Sequence, residues 1–465
     1  MFRPAQDQRW DPIEGFRPSL AAPRAQSELR AWSVIAVGAL AIAGVFALLL
    51  VLGRVIHADD IYPWLLAYFD KFLIVHVNFS FIVWFLVSGI AFMHVSAYRL
   101  GDGSPALANL GRSSLGFAAL GFLLIAGAAL TGGEPSKNNY IPAIVHPVFY
   151  VGLLGFAIAA VLASVRVLVS GLSRKGPLEP VGATGLACGG ILIAAVFAFA
   201  ISWNRAGGMP TDAATNEDIF WAGGHILQFL NVAVMVGAWS ILGGRALGRP
   251  AVTPKLTTLA LSFLALLAAV GAGLLFIEAP LSADERYLFT QYQYALAPVP
   301  IFIAGLIAAA LVAGPRLDGN AAVLAKRTLI TSLLVFFTGG VLGIFVDGAD
   351  TRTPAHYHGV IGGVNVALMG FFYLFVLPLL QRGLVRTRAA TASIILYGAG
   401  QFLHSIGLFI TGGYGAPRKV AGAVDLDILG NWIGHAGIGV GGVIAVIGGV
   451  MFIWIAGRRL LKRLD

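Results

Sequence analysis

Thiol chemistry is the first thing this sequence lacks. Its 465 residues include a single cysteine, Cys188, set within the apolar run 186–200. An intrachain disulfide framework, a Cys-x-x-Cys zinc or redox pair and a Cys-x-x-Cys-His site for covalent haem are therefore excluded. Charge is scarce as well: 11% of the residues are Asp, Glu, Lys or Arg, against roughly a quarter in an ordinary soluble domain. A soluble globular enzyme is excluded. No polar stretch between the apolar runs is long enough to build a separate domain, and there is no internal repeat or low-complexity tract.

What is present is apolar. Hydrophobic residues make up 58% of the chain and glycine contributes 59 positions. About 20 apolar residues are needed to cross a bilayer as a helix, and the sequence offers twelve such runs, at 31–53, 72–97, 113–131, 143–169, 182–203, 218–243, 256–277, 295–313, 328–347, 355–380, 390–411 and 431–456. This predicts an all-α polytopic membrane protein, one bundle of about twelve transmembrane helices over 31–465, packed closely through small residues. Residues 1–30 are polar and rich in Arg and Pro, without the apolar core of a signal peptide, and read as an N-terminal tail.

Twelve spans put both termini on one side. The termini and the loops on their side carry 23 Lys and Arg and 8 acids, and the opposite side 8 and 14, so the faces are +15 and −6. The positive-inside rule places the termini in the cytoplasm, in the inner (plasma) membrane of the cell. The net charge of +9 thus marks orientation in a lipid bilayer and not a nucleic-acid partner.

Almost every charged residue falls in a loop or at a helix end, whereas proton-coupled transporters keep acids inside the membrane. Histidine is distributed differently. His76, His146, His225, His356, His358, His404 and His435 all fall toward the outer ends of their spans. Imidazole is the usual ligand of haem and transition-metal ions, and helices facing a common cavity are the usual way to build such a site. In Ala355-His356-Tyr357-His358-Gly359 the two histidines are i and i+2, roughly 200° apart around a helix. Their rings leave opposite faces, which suits two cofactors better than one metal ion.

These residues resemble subunit I of the haem-copper oxidase superfamily, which includes cytochrome oxidases and nitric oxide reductases, and the resemblance extends over the whole chain. It implies a twelve-helix core with two haems, one low-spin and one high-spin. Val75-His76-Val77-Asn78 looks like the low-spin ligand site of span two. Thr353-Pro354-Ala355-His356-Tyr357-His358 looks like the span-ten motif, so that His356 would bind the high-spin haem and His358 the low-spin one. Trp221-Ala222-Gly223-Gly224-His225 resembles the span-six site whose histidine is the first ligand of a non-haem metal. Gly415-Ala416-Pro417-Arg418-Lys419 resembles a stretch whose basic residues, here Arg418 and Lys419, lie near haem propionates, and Asn431-Trp432 opens the last span as in the oxidase branch.

The departures fall on one site. The family completes its non-haem metal with a His-His pair at the end of span seven, but the corresponding region here, 276–294, contains no histidine. Where the oxidase branch often has a tyrosine four residues after the span-six histidine, this chain has Phe229. Copper and iron sites are built from several imidazole, thiolate or carboxylate donors, so the metal, copper or non-haem iron, would need substitutes such as Glu278, His146 or His404.

Three readings follow. The first is a terminal oxidase-like subunit, a cytochrome c oxidase-like oxidoreductase that passes electrons from an external donor to a small gas, dioxygen. A carboxylate among the ligands would favour nitric oxide reductase-like chemistry with iron. The second is a two-haem electron carrier that has lost the copper site. The third is a transporter with a histidine-lined path. In the first reading the donor is cytochrome c or quinol, other respiratory-complex subunits supply electron transfer into the chain, and protons come from the outer face.

Overall fold

Each apolar run can satisfy its own backbone only by closing a helix, because hydrocarbon offers no other hydrogen-bond partner. The computed structural model describes residues 13–52, 63–174, 176–209, 212–315, 317–346, 348, 350–384, 386–418 and 428–462. Within them lie twelve helices long and apolar enough to span a membrane: α1 (Pro23–Leu50), α2 (Trp64–Leu100), α3 (Ala108–Ala128), α4 (Pro147–Leu172), α5 (Pro180–Arg205), α6 (Ala213–Leu247), α7 (Pro254–Leu274), α8 (Ala283–Ala313), α9 (Asn320–Gly343), α10 (Arg352–Leu379), α11 (Arg388–Gly413) and α12 (Leu429–Leu461). The protein is a multi-pass helical membrane protein. Proline at the first turn, where its missing N–H is no loss, starts α4, α5 and α7. The Asp212 side chain caps α6 by accepting from Thr215 N at 2.8 Å.

Burial sorts the helices into two groups. The apolar cores of α2, α6 and α10 are 72%, 78% and 89% buried inside the protein, whereas those of α1, α3, α7, α8 and α12 are 22–33% buried. The three central helices are those that carry His76, His225 and the His356/His358 pair. α2 and α10 are also interrupted by π-helical turns, at Asn78–Val83 and Phe372–Val376, the first of them beginning two residues after His76. Such turns widen a helix locally and are frequent at functional sites.

The described part of the N-terminal segment packs on the bundle: Ile13, Phe16 and Leu20 are buried, Phe16 meets Phe375 edge-on at 5.6 Å, and α1 begins at Pro23. An apolar side chain in the tail that finds a bundle to cover is worth burying. The segment between α3 and α4 takes in residues 143–145, which the apolar run places in span four. It forms an antiparallel hairpin, β1 (Glu134–Ser136) with β2 (Ala143–Val145), in the register Glu134↔Val145, Pro135↔Ile144, Ser136↔Ala143.

The end that carries the termini holds a buried ionic cluster. Glu28 Oε2 lies 3.0 Å from Arg166 Nη1 and 3.5 Å from His94 Nδ1, with all three side chains almost fully buried. Arg24 bonds the other oxygen of Glu28 at 2.9 Å, and the Arg166 guanidinium stands 5.0 Å from the centre of the Tyr98 ring. Each residue is near an end of its helix, as the sequence implied, but packing of α1, α2 and α4 removes the group from water.

Candidate functional site

Six of the sequence-predicted histidines share one hydrogen-bonding habit. Nδ1 of His76 lies 2.9 Å from Ala43 O on α1, Nδ1 of His356 2.8 Å from Gly339 O on α9, and Nδ1 of His225 2.8 Å from Trp221 O. Nδ1 of His404 lies 2.9 Å from Ile438 O on α12, and Nδ1 of His435 3.1 Å from Asn431 O. Nδ1 of His358 faces Gln401 Oε1 on α11 at 3.4 Å. A carbonyl can only accept, so in the neutral ring Nδ1 carries the proton and the lone pair is on Nε2. That is how a protein presents an imidazole to a metal.

The two histidines of α10 have different partners: His356 is anchored to α9 and His358 faces α11, on the most buried of the described spans. Helix α9 comes this close because Gly339 and Gly359 face each other; a methyl group on Gly359 would lie 2.7 Å from Gly339 N. On the other flank His358 and His404 meet edge to face, 4.7 Å between ring centres. Gln401 continues inward through Tyr397 and Asn365: Gln401 and Asn365 both bond the Tyr397 hydroxyl, and Trp84 Nε1 donates to Asn365 Oδ1 at 2.8 Å. Spans two, ten and eleven are thus joined by one polar chain that ends on His358. His76, His356 and His358 each bond through Nδ1, the tautomer in which an imidazole ligates haem iron through Nε2.

The 415–418 turn lies at the mouth of α10. Asp350 and Pro417 form an isolated antiparallel bridge, and Thr351 N donates to Ala416 O at 3.0 Å. Arg418 is partly exposed there. Lys419 lies outside the described residues. Asp350 is gripped by Arg352, Nη2 to Oδ2 at 2.6 Å, and this ion pair holds its carboxyl below the usual range.

The surroundings of His225 do not fit a second metal. Its side chain is buried, and its Nε2 lies 2.6 Å from the Tyr140 hydroxyl at the tip of the hairpin. Both ring nitrogens are therefore engaged. The proposed substitutes are elsewhere: His404 stands against His358, His146 caps α4 by accepting from Val148 N, and Glu278 sits between α7 and α8. Among the described residues no group of three or more His, Cys, Asp or Glu is placed to hold a metal ion.

Tyr140 carries no motif in the sequence that marks it as a partner of His225. The signal lay in Gly223-Gly224, since Gly224 is where the Tyr140 ring rests and a methyl there would overlap it. Asn78, read next to His76, is a tether: its Nδ2 donates to Ile74 O at 2.9 Å and to Pro142 O at 2.7 Å.

The molecule is a twelve-helix membrane bundle that carries histidines hydrogen-bonded through Nδ1 on its three central helices. The profile of cytochrome c and quinol oxidase polypeptide I matches residues 29–451, and the chain belongs to that family. In fold it is similar to a heme-copper terminal oxidase dimer solved by cryo-EM, with a TM-score of 0.74 and 15% identity, covering 96% of this chain and 85% of the other. Among relatives, an uncharacterized protein of Rickettsia prowazekii is 24% identical over 92% of this chain and 95% of its own length. An uncharacterized protein of Aquifex aeolicus is 29% identical over 74% of this chain and 83% of its own.

Proposed function

We propose that this terminal oxidase-like subunit I binds two haems, a low-spin one between His76 and His358 and a high-spin one on His356, and conducts electrons from an external donor to dioxygen. The observation that carries this is the split of the α10 pair, His356 toward α9 and His358 toward α11. When bound, the haems supply one-electron redox chemistry and an iron open to a gas ligand. The chain's own part is to fix ring orientation. Ala43 O, Gly339 O and the Gln401 amide hold the three imidazoles so that no rotamer search precedes ligation. Arg418, with Lys419 beside it in sequence, would neutralise propionates at the mouth of α10.

The charge asymmetry supports cytoplasmic termini in the inner membrane, with cytochrome c or quinol and partner subunits supplying electrons from outside. On the central helices His76, His225, His356 and His358 fall in the half opposite the termini, while His94 belongs to the ionic cluster at the other end, and we infer proton uptake from the half that holds the four. A second reading, a two-haem carrier without a copper site, is favoured by the engagement of both His225 nitrogens.

The test is haem analysis with a reduced-minus-oxidised spectrum, with and without carbon monoxide, on the purified chain. Two haems, one of them binding carbon monoxide, are expected, and His358→Ala should abolish the low-spin signal. Absence of haem from protein purified out of haem-replete membranes overturns the proposal.

A further inference from the structure

The hairpin between α3 and α4 is pinned on several sides. Lys137 Nζ lies 3.1 Å from Asp70 Oδ2 on α2. The Glu217 carboxylate on α6 accepts from Asn139 N at 2.8 Å and Asn139 Nδ2 at 2.6 Å, and Asn78 reaches Pro142 O. These ties deliver one side chain, Tyr140, onto Gly224 and His225. Its ring stands edge-on to Trp221 at 5.3 Å.

The direction of the bond between Tyr140 and His225 follows from the chemistry. Trp221 O can only accept, so Nδ1 of His225 keeps its proton and Nε2 accepts. The phenol therefore donates to Nε2, while Gln228, nearly one turn further along α6, bonds the phenol oxygen. Every polar atom of the pair is thereby satisfied without a metal, which is what a buried polar pair requires. The nearest other walls are aromatic. Trp221 and Phe289 lie 5.1 and 5.9 Å from the His225 ring, and Tyr292 lies tilted against Phe229, its hydroxyl donating to Leu267 O. Phe289 and Tyr292 come from the very stretch in which the sequence lacks a His-His pair.

We propose that Tyr140 occupies the place of the second metal, forming a neutral tyrosine–histidine pair with His225, so that haem iron is the only metal this chain holds. The haem part rests on the function proposed above; the occupancy of Nε2 does not. The hairpin is the device that closes the site, and Gly224 is the residue that lets it approach.

The experiment is elemental analysis of copper and iron beside haem quantification on the purified full chain, before and after incubation with copper(I), together with a thermal double-mutant cycle of Tyr140→Phe and His225→Phe. Iron equal to haem, no stoichiometric copper, and non-additive losses of melting temperature are expected, because a direct bond couples the two sites. One equivalent of copper or of non-haem iron per chain overturns the proposal, as do additive losses. If the chain carries no haem, the function proposed above fails, while the copper content and the cycle still decide this one.

Discussion

His356 and His358, two residues apart on α10, are held by different helices: the first bonds Gly339 O on α9 at 2.8 Å and the second faces Gln401 Oε1 on α11 at 3.4 Å. One helix thereby offers two imidazoles with different partners. The separation follows from helical periodicity, but the tautomer and orientation of each ring are set by its neighbours, and those neighbours can be changed one at a time.

Replacing Gln401 by Leu should raise the midpoint potential of the low-spin haem and leave the high-spin haem in place. A hydrogen-bond acceptor on Nδ1 makes an imidazole a stronger donor to iron and favours the oxidised state. Gln401→Glu should shift the potential the other way. Spectroelectrochemical titration reads both, and an unchanged potential in both variants would show that Gln401 does not act on His358.

Gly359→Ala should loosen the α9–α10 contact and destabilise the protein by about 1–3 kcal/mol, the usual cost of overpacking a close-fitting core. The added methyl would press on Gly339, whose carbonyl orients His356. The haem-to-protein ratio should fall together with the melting temperature. Loss of stability with full haem occupancy would mean that α9 does not position His356.

Glu28→Gln removes the only carboxylate from the buried cluster of Arg166 and His94 and leaves the Arg166 charge uncompensated. Breaking one side of a buried pair costs about 3–5 kcal/mol. Thermal unfolding in detergent should show a loss of that order with haem spectra unchanged in the surviving fraction. Arg166→Met in the same background should recover part of it, since neither charge is then left alone.

Acid should weaken the mouth of α10 through Asp350. Its folded-state pKa is depressed by Arg352, so its contribution is present above the unfolded aspartate value, about 4, and is lost as pH falls through the lower folded value. Stability profiles of wild type and Asp350→Asn should therefore differ at neutral pH and converge below about pH 4. Parallel profiles down to lower pH would show that the pair does not stabilise the fold.

Much of this was legible in the residues. Twelve apolar runs became twelve helices because a chain in hydrocarbon has no other way to satisfy its backbone, and only the ends moved. The placement of the histidines toward the ends of their spans opposite the termini, the i, i+2 spacing of His356 and His358 and the lack of a histidine in 276–294 are all local facts of spacing and composition. The hairpin was not legible, because two three-residue strands leave almost no periodicity to read and Lys137-Asn138-Asn139-Tyr140 has the composition of a surface loop.

Composition and helical periodicity by themselves determined the membrane, the number of spans, the charge asymmetry and the presence of imidazoles at one depth, since each depends only on which residues follow one another. The tertiary structure decided what those imidazoles can do. Whether Nε2 of a buried histidine presents a lone pair to a metal or accepts a proton from a phenol depends on which side chain arrives from elsewhere in the chain. Tyr140 and His225 are 85 residues apart in sequence and 2.6 Å apart at their polar atoms, and no local rule predicts that encounter.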